Sequence, residues 1–127
     1  MKYYIAKQLD TDFDQAVTRA REVLSNEGFG IITEVNMQEK IREKTGKEIP
    51  RYLILGACNP PLAYESIQKE ERGGLFLPCN VIVRQTDDHV EVAAIEPVIA
   101  MQVTENKELE KVADKVRTML EKAIRDL

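Results

Sequence analysis

Cys58, Cys79 and His89 are the side chains here best suited to covalent or metal chemistry, and Glu34 is a carboxylate set in an apolar strand. A thiolate is a nucleophile and a soft metal ligand, and a nucleophilic cysteine needs a base, for which histidine is the usual choice. The chain has two cysteines and one histidine, with no CxxC or HxxxH spacing, so their order specifies neither a dithiol nor a zinc site. Cys58 precedes Asn59-Pro60-Pro61, an expected helix start whose dipole favours a thiolate. Pro60 and Pro61 remove two of the four free N–H donors there, which weakens that field and disfavours phosphate binding. Gly28-x-Gly30 and Gly73-Gly74 lack the context of a nucleotide loop and read as cap and turn glycines.

The elements that position these residues follow from periodicity and punctuation. Residues 2–8 read as a strand, followed by a helix capped at Thr11 with Asp14 three residues on and closed by Gly28. Phe29–Val35 is a second strand, Met37–Lys44 a short charged helix and Tyr52–Ala57 a third strand. Asn59 caps a helix opening on the two prolines and ending before Gly73. Leu77–Arg84 and His89–Ile95 form a hairpin turning at Asp87-Asp88, and Val98–Val103 resumes as a last strand. From Thr104 the apolar positions, Leu109 to Leu127, recur every three or four residues in one long helix. Long αβ alternation is absent. The fold expected is α+β, two-layered, with a mainly antiparallel sheet and helices on one face.

Strand alternation then assigns faces. Leu53, Leu55, Ala57, Cys79, Val81, Val83, Val90, Val92 and Ala94 share the face the helices should cover. The opposite face is expected to carry Tyr4, Ile32, Glu34, Tyr52, Ile54, Cys58, Asn80, Ile82, Arg84, His89, Glu91 and Ile95. Its mixture of branched aliphatics, tyrosines and ionisable groups suits a partner or a small ligand. Parity places the two thiols on opposite faces, although a bulge at Gly56 or Pro78 would change that phase.

With 127 residues and 43% of them hydrophobic, the chain reads as one domain, 1–127, able to bury a core. Its net charge of −4 and dispersed basic residues argue against nucleic-acid backbone binding. No stretch approaches the roughly 18 apolar residues of a membrane span, and Met1–Asp10 lacks the apolar segment of a secretion signal. Cytoplasmic residence with free thiols is therefore expected.

Gly28-Phe29-Gly30-Ile31-Ile32-Thr33-Glu34, Leu55-Gly56-Ala57-Cys58-Asn59-Pro60 and Leu77-Pro78-Cys79-Asn80-Val81 occur in this order. In that combination, over nearly its whole length, the chain resembles the family called "domain of unknown function 302". The resemblance implies a TATA-binding-protein-like α+β arrangement, β-α-β(4)-α, and dimeric assembly. It implies no activity.

These observations lead to a homodimeric binding or interaction module without catalytic activity of its own, with Glu34, Tyr52, Ile54, Cys58 and Arg84 as candidate contacts for a partner or small molecule. The alternative is a thiol-dependent enzyme or redox sensor using Cys58 with His89 as base. A metal alternative joins Cys58, Cys79 and His89, with zinc as an incidental ligand. Glu34 also has a structural alternative, a salt bridge with Arg84 or a water-facing position.

Overall fold

Five strands form one antiparallel sheet in the order β1-β5-β4-β3-β2 in the computed structural model, which describes residues 2–127. The strands are β1 (Tyr4–Leu9), β2 (Gly30–Asn36), β3 (Tyr52–Cys58), β4 (Cys79–Gln85) and β5 (Val90–Ile95). The helices are α1 (Phe13–Asn26), α2 (Met37–Thr45), α3 (Pro60–Lys69), α4 (Pro97–Met101) and α5 (Lys107–Arg125). With α2, α3 and α4 as short insertions, the main elements run β-α-β(4)-α.

Capping chemistry explains where the helices begin and end. Asp12, one residue beyond the expected Thr11, caps α1 by accepting the Gln15 N–H at 2.8 Å. Gly28, at φ +86°, ends the helix: its N–H donates to Ser25 O and that of Phe29 to Leu24 O, a Schellman closure. Asn59 caps α3 through Leu62 N–H and also donates to Gly28 O at 3.1 Å, tying the start of α3 to the end of α1. Asn106 caps α5 by accepting from both Glu108 and Leu109 N–H.

The run Val98–Val103, expected as a strand, is instead helical: α4 followed by a 3₁₀ turn over Gln102–Thr104. Glu96 decides this, because its carboxylate caps Ile99 N–H at 2.7 Å while Pro97 occupies the first helical position. Met101 then packs into a second small core with Leu109, Ala113, Phe76 and Val98, where tertiary contact outweighs β propensity.

The principal core lies between the sheet and α1 and α5. Leu55, Val81, Val83, Val90 and Val92 meet Ala16, Ala20 and Leu24 of α1 and Val112 and Leu120 of α5, all almost fully buried. Each such Val or Leu contributes about 1.5–3 kcal/mol of transfer free energy. The alanines of α1 let that helix approach the sheet closely. The other face of the sheet carries no helix layer.

Candidate functional site

Register turns the uncovered face into a grid of three rows. At the β4–β5 hairpin end lie Gln8, Glu91, Arg84 and Tyr52. Ala6, Ala93, Ile82, Ile54 and Val35 form the middle row. Tyr4, Ile95, Asn80, Gly56 and Thr33 form the third, with Asn80 taking the place next to Ile95 by continuing the β4–β5 register. Small side chains, Ala6 and Ala93, therefore sit between tyrosine-bearing rows. The result is a trough of about 400 Å³ bordered by Tyr3, Tyr4, Tyr52 and Arg84.

Electrostatics at the hairpin end centre on Arg84. Its Nε donates to Glu91 Oε1 at 2.8 Å across the ladder. That hydrogen bond and the charge of Glu91, with smaller help from Tyr52 and Tyr4, raise the guanidinium pKa above its ordinary value despite partial burial. Tyr3 and Tyr4 pack edge to face with ring centroids 5.1 Å apart, and Lys2 Nζ lies 5.6 Å from the Tyr4 centroid.

Glu34 belongs elsewhere. The β2–β3 register shifts between Ile31 and Thr33, so Thr33 and Val35 join the open face while Glu34 stands opposite Leu55 on the helix side. Arg21 of α1 meets it there, Nη2 donating to Oε1 at 2.6 Å, so its salt-bridge partner is Arg21 and not the expected Arg84. Gly56 explains the crowding beside this bulge. A Cβ on Gly56 would collide with the Thr33 side chain and come 2.6 Å from Pro78 Cγ.

Cys79 is 5% exposed and opposite Ala57, as parity predicts. Burial pushes its thiol up to about 11, with a smaller contribution from the charge of Cys58. Cys58 is half-buried at the last position of β3, opposite Gly30, and both cysteines are free. Although out of phase along the strands, the two residues border one narrow crevice beneath α3, also lined by Phe29 and Leu62. The full separation expected from alternation therefore fails at the strand end.

His89 lies at the opposite end of the sheet, its Nδ1 2.9 Å from Asp88 Oδ1 beside the hairpin turn. Tyr52, paired with Arg84, marks that end on β3, and the six-residue step from there to Cys58 spans about 20 Å at strand rise. No Cys58–His89 base pairing is formed, and the third member of the metal alternative is equally remote from the two thiols. Among the described residues, no three His, Cys, Asp or Glu side chains gather as a metal-binding group.

Of the candidate contacts, Tyr52, Ile54 and Arg84 share the open face, whereas Glu34 is on the helix side and Cys58 at the α3 crevice. Tyr3 and the trough-lining Ala93 were not singled out by sequence. Alanines at facing strand positions beside tyrosines were the available signal.

An antiparallel sheet with helices on one face and an exposed apolar-polar trough on the other defines an α+β fold. The chain belongs to the family "Domain of unknown function DUF302", whose sequence pattern matches residues 5–127. A crystal structure of an uncharacterized conserved protein DUF302 from Bacillus stearothermophilus has the same fold, with a TM-score of 0.93, 23% identity, and coverage of 99% of this chain and 98% of that one. No curated protein matches the sequence. Among the described residues no helix is long and apolar enough to cross a membrane.

Proposed function

We propose that this chain is a non-catalytic binding domain that works as one unit and as a homodimer in the cytoplasm, with the uncovered sheet face as its working surface. The observation that carries this is the one-sided helix layer. Val35, Ile54, Ile82 and Ile95 line the uncovered side in register, and Ile32 in the β2 bulge is 60% exposed. Leaving such a surface in water forfeits about 25 cal/mol for every Å² of apolar area, and monomers rarely leave an extended patch uncovered.

A second copy seated on the β2–β3 flank, over Ile32, Val35 and Ile54, covers that patch by a two-fold, self-complementary contact. The trough over β4, β5 and β1 then remains for a small molecule. In the same proposal, the β-α-β(4)-α order corresponds to a TATA-binding-protein-like arrangement, while the net charge of −4 fits neither a DNA nor an RNA backbone.

Sedimentation velocity over a micromolar dilution series tests the pairing. The wild-type chain should sediment as a dimer and Val35→Glu as a folded monomer. A wild-type monomer throughout the series, or a Val35→Glu dimer of unchanged affinity, overturns it.

A further inference from the structure

The trough continues along the strands. A second depression of about 250 Å³ shares Tyr4, Ile82 and Ala93 with it and extends to Asn80 and Ile95. Those last two residues also border a third, an apolar cleft of about 260 Å³ between Phe76–Pro78 and Pro97–Met101. Shared walls set the three depressions in a row along β4 and β5. From Arg84 to Asn80 the row covers four strand residues, about 13 Å, before entering the cleft beside Met101.

The two ends differ in chemistry. Glu91 occupies only the Nε edge of Arg84, and among the described residues nothing hydrogen-bonds its end-on Nη edge. The guanidinium is thus half neutralised at this end of the trough, with its Nη edge open beside Tyr52 and Tyr4. At the far end the exposed Leu75 and the half-buried Phe76 and Leu77 present carbon surface, with Met101 and Pro97 buried behind them. A purely apolar ligand would bury the open Nη edge of Arg84 without a hydrogen-bond acceptor. A free phosphate would leave the cleft empty, and a cationic head would meet Arg84.

We propose that the groove binds an amphiphilic monocarboxylate, its head on the Nη edge of Arg84 and its hydrocarbon tail running over Ala93 and Ile82 into the cleft beside Met101. This rests on the open face being the working surface and names the class of ligand it takes. The paired geometry of an arginine end and a carboxylate supplies orientation, and the apolar cleft supplies most of the affinity.

Calorimetric titration with decanoate, butanoate and decyltrimethylammonium, each below its micelle concentration, tests the proposal. Decanoate should bind saturably and at least roughly tenfold more tightly than the other two, the order expected when both a charge-assisted hydrogen bond and the tail contribute. Arg84→Gln should reduce decanoate affinity by roughly tenfold while decyltrimethylammonium binds no more weakly than to wild type. Ala93→Phe should abolish decanoate binding by filling the trough, and Ile82→Phe, on the half-exposed trough wall, narrows the same trough should Ala93→Phe not fold. Absence of saturable decanoate binding, equal binding of all three probes, or an Arg84→Gln variant that binds decanoate like wild type overturns it. Sedimentation of the same samples separates the claims: a persisting dimer with no decanoate bound defeats the ligand class alone, whereas a wild-type monomer defeats the proposed pairing.

Discussion

Arg84 and Glu91 face each other on adjacent strands with Nε 2.8 Å from Oε1, and the pair divides the guanidinium into an occupied edge and an open one. The side chains are 40% and 18% exposed, so solvent screens most of the pair's contribution to stability. Glu91→Gln should therefore cost no more than about 1 kcal/mol in urea unfolding. Because it also removes the one opposing charge, decanoate should bind the variant more tightly than wild type. A weaker affinity would show that Glu91 orders Arg84 for binding more than it repels the ligand.

Gly56 leaves no room for a side chain between Thr33 and Pro78. Gly56→Ala should destabilise the chain by about 1–3 kcal/mol through overpacking. Adding Thr33→Ala should recover part of that loss, while Thr33→Ala alone should have a smaller effect. Thermal unfolding of the three variants checks this, and an unchanged Tm in Gly56→Ala would contradict the crowding.

Glu96 is 5% exposed and does two jobs. Its Oε2 caps α4, and its Oε1 receives no well-aligned hydrogen bond and is held by the charge of Arg117, whose Nε lies 3.1 Å away. Glu96→Ala should lose the cap and cost about 1–2 kcal/mol. Arg117→Met should cost more than an ordinary surface pair because it strands a buried carboxylate. Chemical denaturation of both variants measures the difference.

The Cys79 thiol, pushed by burial up to about 11 from an ordinary 9.0, makes a prediction about alkaline stability. Above pH 9 the unfolded chain loses this proton while the folded chain keeps it, so stability falls as pH rises. The contribution is present below about pH 9 and lost as pH approaches 11, amounting to roughly 3 kcal/mol at 1.36 kcal/mol per pKa unit. Cys79→Ala should show a shallower decline across that window, and parallel curves would contradict the assignment.

The uninterrupted alternation of β3, β4 and β5 made their faces legible in the sequence, and the 3.6-residue stripe did the same for α5. Glu34 was misplaced because a single extra residue in β2 reverses every later side chain, and no glycine or proline marks that bulge. Val98–Val103 was misread because its β-branched residues outweighed the cap at Glu96, a carboxylate in a position where Ser, Thr, Asp or Asn is the usual signal. Tyr52, Ile54 and Arg84 were recoverable from parity alone. The groove was not, because its depth comes from the small Ala93 and its far wall from Phe76–Pro78 and the helix beside Met101, which meet only in three dimensions.

The central claim is that the uncovered sheet face is where this protein meets its partners. Hydroxyl-radical footprinting across a dilution series, read by mass spectrometry, tests it residue by residue. Ile32, Val35 and Ile54 should become protected as concentration rises, while exposed Tyr64 and Leu75, away from the proposed contact, keep their reactivity. Protection of Tyr64 and Leu75 with Ile32, Val35 and Ile54 unchanged would contradict the account.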